Sequence, residues 1–372
     1  MVNAFTGQPL AIVSDTPGTT TDPVSKAMEI LPLGPCLVTD TAGLDDVGEL
    51  GAQRVGKTLA VLATTDIAVW VEGEGAGGGG EKIAFLEECR KRKVTVIEYR
   101  RGGSVEELKK KIAAVRLAEA DPGLLDGLVK AGDRVLCVCP IDESAPKGRL
   151  ILPQVQVIRA CLDLHAACTV CQPAELRDCL ESGAVDLVVT DSQAFRTVDE
   201  TLGKLTSARA RTVRCSDASA VRLTSFSILF ARQKGDIAAY KEGLARLGEL
   251  KDGDRVLVAE GCTHHRQCND IGTVKIPKAL GKLTGKKLDF TFASGMGFET
   301  QTSEHPNTQT PEHPNTQTPV RYALIVQCGG CMLTRRETLR RIGLAKAAGI
   351  PIVNYGMLLA KAAGVEVEKC VM

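Results

Sequence analysis

Aromatic residues are scarce in this chain, at 3% of 372 residues, with one Trp and four Tyr. Its cores must therefore be aliphatic, drawn from a 44% hydrophobic content. Together with abundant Gly, this favours α/β layers over an all-β sandwich. An excess of either charge is also missing. Forty-six basic residues face 45 acidic ones, whereas a nucleic-acid binder carries a basic surplus, so no nucleic-acid partner is expected. No apolar run reaches the roughly 18 residues a spanning helix needs. No N-terminal stretch has the charged, apolar and small-residue zones of a signal peptide. A soluble, cytoplasmic protein with no membrane partner is expected.

Cysteine is plentiful, at fourteen. A reducing compartment argues against a disulfide framework, so clustered cysteines point to metal binding or catalysis. The remainder are expected to pack as small buried hydrophobes.

Strand-like and helix-like runs alternate along the whole chain, which implies parallel sheets covered by helices. In residues 1–120, Cys36–Asp40 is predicted as a buried strand, with Asp66–Val71 and Val94–Tyr99 as further strands and Gly51–Ala63 and Glu81–Lys93 as helices. A second α/β stretch, 121–223, holds strands at Arg134–Pro140, Ala167–Cys171 and Val185–Thr190. A third, 224–372, holds strands at Asp254–Glu260, Leu288–Ala293 and Tyr322–Gln327, then a helix over Arg335–Ala348. Glu304–Pro311 reads EHPNTQTP and is repeated letter for letter over Glu312–Pro319. Such a polar, Pro- and Thr-rich repeat buries no core, and 301–319 is predicted as a disordered insert.

The chemistry concentrates where two predicted strands end. Cys262-Thr263-His264 follows one, and Cys328-Gly329-Gly330-Cys331 follows another. In open α/β sheets ligands collect at the C-terminal ends of strands. Two such ends can bring Cys262, His264, Cys328 and Cys331 together. The Gly pair permits a tight turn whose amides face sulfur. Spacing alone leaves three chemistries open: a Cys₃His zinc site, a cubane cluster on three thiolates, and a redox dithiol at Cys328 and Cys331. Cys168 and Cys171, also spaced CxxC, are expected to be buried packing, and Cys137 and Cys139 to share one buried face.

A second constellation concerns nucleotide. Asp40-Thr41-Ala42-Gly43 ends a predicted strand, the context in which a DxxG Asp sits near Mg²⁺ and its Gly amide faces a γ-phosphate. Upstream, Pro17-Gly18-Thr19-Thr20 has the look of a switch segment whose Thr reaches Mg²⁺. No GxxxxGK[ST] precedes Asp15, and Arg100-Arg101-Gly102-Gly103 stands where a guanine-reading NKxD is expected. Thr19, Thr20, Asp40 and Gly43 are therefore candidate nucleotide and Mg²⁺ residues of a truncated GTPase-like domain. No catalytic residue can be assigned.

These motifs, with Ala11–Thr20 (AIVSDTPGTT), Pro146–Gln154 (PKGRLILPQ) and Cys262-Thr263-His264-His265, resemble in their order the HydF family of [FeFe]-hydrogenase maturation GTPases. The resemblance covers nearly the whole chain. It implies an α/β protein of three domains with mainly parallel sheets. A Ras-like GTPase fold remnant (1–120) would be followed by a dimerisation domain (121–223) and a cluster-binding, tetramerisation domain (224–372). It implies a [4Fe–4S] cluster on Cys262, Cys328 and Cys331, with His264 as a further candidate, and GTP with Mg²⁺ in intact relatives. The implied role is scaffold and carrier of a di-iron precursor. The implied partners are [FeFe]-hydrogenase and radical-SAM maturases, with assembly as a homodimer or homotetramer. The chain departs from the family in its missing nucleotide motifs and in Gln327, where the family often has His before the CxxC. Sixty-two residues separate His264 from Gln327, and the repeat accounts for 16 of them. A zinc-stabilised interaction protein and a non-functional truncated GTPase are the alternatives.

Overall fold

A computed structural model describes residues 2–7, 24–31, 33–42, 55–59, 61–72, 79–115, 122–141, 148–209, 221–261, 270–295, 298 and 321–371. The chain forms two compact units, Met1–Ala120 and Asp121–Met372.

The first unit begins with α1 (Val2–Thr6). β1 (Val24–Ile30) and β2 (Gly34–Asp40) pair antiparallel, whereas β3 (Ile67–Glu72) and β4 (Thr95–Arg100) pair in parallel. Helix α2 (Gly79–Lys91) connects β3 to β4, since parallel neighbours require a crossover. Helix α3 (Val105–Ala113) starts at Ser104, whose hydroxyl accepts the Glu107 amide at 3.2 Å. Its Leu108 and Ile112 join Phe5, Ile30, Ile97 and Tyr99 in one core.

The expectation of a buried strand at Cys36–Asp40 is corrected. That segment is β2, half of a hairpin, with Cys36 only half-buried and Leu37 70% exposed. A short apolar run gives composition but not the number of covered faces.

The second unit contains two parallel four-stranded sheets. One is built from β5 (Arg134–Val138), β6 (Ala167–Cys171), β7 (Leu187–Thr190) and β8 (Arg222–Ser225), in the order β6-β5-β7-β8. The other is built from β9 (Arg255–Ala259), β10 (Asp289–Ala293), β11 (Leu324–Gln327) and β12 (Ile352–Asn354), in the order β10-β9-β11-β12. Their inner strands read as continuous Val and Leu runs because both faces are covered. Alternation then divides the side chains. Leu136, Val138 and Val188 share a core with Val256, Leu257 and Val258 of the other sheet. Val135, Cys137, Leu187 and Val189 face a second core with Val157 and Cys161 of α4 (Leu152–Asp163). Cys137 and Cys139 are buried. Cys168 and Cys171 are only half-buried, because β6 is an edge strand, and the Cys168 Sγ lies 3.7 Å from that of Cys137.

Helices α5 (Leu176–Glu181) and α6 (Phe195–Arg209) complete the first sheet's crossovers. Helix α7 (Phe226–Lys234) follows β8 directly, capped by the Ser225 hydroxyl on the Ile228 amide. Its Phe226, Leu229 and Phe230 enter one core while Ile228 and Ala231 enter the other. A helix apolar on both sides is a buried helix, and α7 joins the two cores. Helices α8 (Ile237–Ala245), α9 (Ile276–Thr284), α10 (Arg335–Ala347) and α11 (Tyr355–Ala363) surround the second sheet, while α12 (Val367–Val371) packs on β8 of the first, where the Thr224 hydroxyl donates to the Cys370 carbonyl. The repeat at 304–319, with its predicted disorder, lies outside the described residues. No helix among the described residues is long and apolar enough to cross a membrane.

Leu229 carries this packing into the core shared with α4. Leu229→Ala is expected to destabilise the second unit by about 3 kcal/mol, read by urea unfolding. A change below about 1 kcal/mol would show that Leu229 does not hold that core.

Candidate metal centre

Parallel pairing sets the ends of β9 and β11 side by side. Gln327 is in register with Ala259, and the Cys328 amide donates to the Ala259 carbonyl at 3.0 Å. One step further, the Gly261 amide donates to the Cys328 Sγ at 3.1 Å. The residue before Cys262 thus touches the first sulfur of the CxxC. Cys262 and His264 themselves lie outside the described residues, as do Thr19, Thr20 and Gly43. Asp40 is half-buried at the end of β2, and burial pushes its carboxyl up. Among the described residues, no group of three or more His, Cys, Asp or Glu is placed to hold a metal ion. Cys328 and Cys331 are the described members of the predicted set.

The cysteine turn is shaped by missing Cβ atoms. A Cβ on Gly261 would come within 2.7 Å of Leu333 Cγ, and one on Gly329 within 3.0 Å of Ser227 Oγ on α7. Gly330 has φ +71°, a conformation that other L-residues adopt only at a cost of about 1–2 kcal/mol. The turn then closes with the Leu333 amide on the Gly330 carbonyl at 3.0 Å, and α10 begins at Thr334, whose hydroxyl accepts the Glu337 amide.

Three polar braces hold this turn. From α7, the Lys234 Nζ donates to the carbonyls of Gly330, Cys331 and Leu333 at 3.1, 3.2 and 2.7 Å, and lies 5.0 Å from the Phe230 ring centre. Burial pushes the Cys331 thiol up, opposed by the Lys234 charge and by backbone amides. Asn354 at the end of β12 donates to the Cys328 carbonyl at 3.5 Å, and its Oδ1 accepts from Gly356, Met357 and Ser227. The third brace is ionic. Arg341 on α10 is fully buried, donates to Glu337 Oε1 at 2.6 Å and to the Glu260 carbonyl at 3.4 Å, and reaches the Gly295 carbonyl. It ties the chain at the end of β9 and the loop after β10 to the helix that follows the CxxC. Arg340 adds two bonds to Glu337. Burial pushes the Glu337 carboxyl up, but its bonds to Arg340 and Arg341 outweigh that and hold it below the ordinary range.

Comparison with known proteins bears on this geometry directly. Residues 124–235 match the hydrogen maturase F dimerization domain, and residues 238–371 match the hydrogen maturase F tetramerization domain. The chain belongs to the hydrogen maturase F (HydF) family. Residues 1–99 match the 50S ribosome-binding GTPase domain. Similar curated proteins are GTPases that share only a segment with it. The tRNA modification GTPase MnmE of Methylobacterium radiotolerans is 40% identical over 18% of this chain and 16% of its own length. GTPase Der of Campylobacter hominis is 36% identical over 23% and 18%. MnmE of Syntrophotalea carbinolica is 33% identical over 26% and 21%. The chain thus spans about a fifth or less of the length of these relatives.

Sequence inspection did not find Lys234, Ser227 or Arg341. Lys234 and Arg341 look like ordinary solvated cations near a helix end and on a helix face. Their partners lie 96 and 81 residues away at Gly330 and Glu260, beyond any local signal.

Two outcomes follow from the braces. Lys234→Met is expected to destabilise the apo protein by about 2–3 kcal/mol in urea unfolding. Lys234→Arg should recover less than half, because a planar guanidinium does not converge on three carbonyls as a compact ammonium does. A loss under about 0.5 kcal/mol for Lys234→Met would contradict the brace. Because the folded Glu337 carboxyl is depressed, its contribution is full above the ordinary Glu value of about 4.3. That contribution is lost as pH falls through the folded value. The stability gap between wild type and Glu337→Gln should be widest at neutral pH and close on acidification, read by denaturant titration across that range. A gap independent of pH would contradict it.

Proposed function

We propose that this chain is an iron–sulfur scaffold and carrier in hydrogenase maturation. Cys262, Cys328 and Cys331 would hold a [4Fe–4S] cluster, with His264 beside it. The observation that carries this is the 3.1 Å contact between the Gly261 amide and the Cys328 Sγ. It places the chain entering Cys262 against the first sulfur of a braced Cys-Gly-Gly-Cys turn. The donor set suits iron and sulfide, since thiolates are the usual cluster ligands. The amide of Gly261 is already aimed at sulfur, as an outer-shell donor should be.

Such a cluster would offer one iron that none of these three cysteines ligates, and so an open position for iron cargo. This chain's own residues keep the turn in one shape through Lys234, Asn354 and the Arg341–Glu337 pair. They leave a third ligand position to the β9 end. Thr19, Thr20, Asp40 and Gly43 form the remnant of a nucleotide site, at which GTP and Mg²⁺ would bind in intact relatives. Nucleotide there would bias loops and not act on iron. [FeFe]-hydrogenase and radical-SAM maturases are the proposed partners, in the cytoplasm, and the dimerization and tetramerization domain matches support a homo-oligomer.

Anaerobic reconstitution with iron and sulfide tests this. Wild-type protein is expected to take up about four irons and four sulfides per chain, as a [4Fe–4S] cubane holds, and to give an EPR signal on reduction. Cys328→Ser should lose most of both. A colourless protein holding zinc without sulfide would end the cluster assignment in favour of a structural zinc site.

A further inference from the structure

Gln327, the last residue of β11, is wholly buried, and among the described residues neither its Nε2 nor its Oε1 has a hydrogen-bond partner. Two comparisons within the chain make this unusual. Gln154 is also buried, yet its Oε1 accepts the Ile151 amide at 3.0 Å and its Nε2 donates to Asp191 at 3.1 Å. Asn354 sits in the same register row as Gln327, is equally buried, and has its Oδ1 saturated by three donors. The fold therefore satisfies buried amides elsewhere, including one on the neighbouring strand. A buried amide left without partners calls for an absent polar neighbour, since an apolar side chain of the same shape would otherwise serve better.

The position narrows what that neighbour is. Gln327 immediately precedes Cys328 and is in register with Ala259, two residues before Gly261, whose amide meets the Cys328 sulfur. Sulfur atoms are the acceptors that a cluster would bring to this strand end. A carboxamide N–H matches them, whereas its neutral oxygen competes poorly with thiolate for iron.

We propose that the Gln327 carboxamide donates an N–H to a sulfur of the cluster held by Cys262, Cys328 and Cys331, and thereby raises its reduction potential. The inference rests on the cluster assignment above. A hydrogen bond to sulfur disperses the added negative charge and favours the reduced form. Gln327 acts as a positioning and tuning residue, with no ligand role.

Gln327→Met keeps length and volume and removes both polar atoms. In the apo protein, held anaerobic and reduced, its thermal midpoint is expected to equal or exceed that of wild type, because no internal bond is lost. After reconstitution, iron and sulfide content should match wild type, while an EPR-monitored redox titration should give a more negative midpoint. A clearly lower apo midpoint would show that the amide has protein partners, and an unchanged redox midpoint would show that it does not touch the cluster. Either result overturns the inference while leaving the cluster in place. Wild-type protein that takes up neither iron nor sulfide would instead remove the cluster assignment and this inference with it.

Discussion

Lys234 brings one ammonium group to three backbone carbonyls of residues 330–333, and the form of the cysteine turn follows from that convergence. A carbonyl trio pointing inward forces the chain to reverse tightly, which Gly330 permits at positive φ. Charge-assisted bonds of this kind are stronger than neutral ones. The ammonium in turn is fixed because α7 cannot shift without opening two cores, one on each side of the helix. Packing of Phe226, Ile228, Leu229 and Phe230 is thereby converted into placement of a loop carrying Cys328 and Cys331. A loop anchored to solvent-facing residues would lack that stiffness.

The second sheet contributes the other half of the site. Parallel strands end on the same side, so the residues after β9 and β11 meet without any long excursion. Close approach requires the absence of side chains at Gly261 and Gly329, where a Cβ would press on Leu333 and on Ser227. Arg341 then fastens the same strand ends from the helix that follows. A buried ion pair of this kind contributes little net stability against an apolar replacement, yet removing one partner strands a charge. In this fold it serves to hold three chain segments at one place.

Much of this was legible in the sequence, for identifiable reasons. RVLVA and LIVQ announce themselves as parallel strands because both faces are covered, so residues 256–259 and 324–326 are apolar without a break. The glycines inside Cys328-Gly329-Gly330-Cys331 pointed to the turn, and the position of each cysteine after a strand pointed to a candidate site, of which Cys262 lies outside the described residues. β2 was misjudged as buried because CLVTD has the composition of an inner strand, while its surroundings expose Leu37. Cys168 and Cys171 were expected to be covered, but the outer place of β6 in its sheet is a topological fact with no local signature. Lys234, Ser227 and Arg341 act on partners far along the chain, and only the folded arrangement of α7 and α10 makes them part of the centre. That Gln327 has no partner among the described residues is likewise a property of packing alone.

The central claim is that the chain entering Cys262 and the Cys328 sulfur meet at one end of a sheet. The most direct measurement is thiol bridging in the metal-free, reduced protein, using a short bifunctional thiol reagent followed by peptide mapping. A Cys262–Cys328 or Cys262–Cys331 bridge as the dominant product is the expected result. Modification of Cys262 that never bridges to either cysteine of the turn would contradict the account.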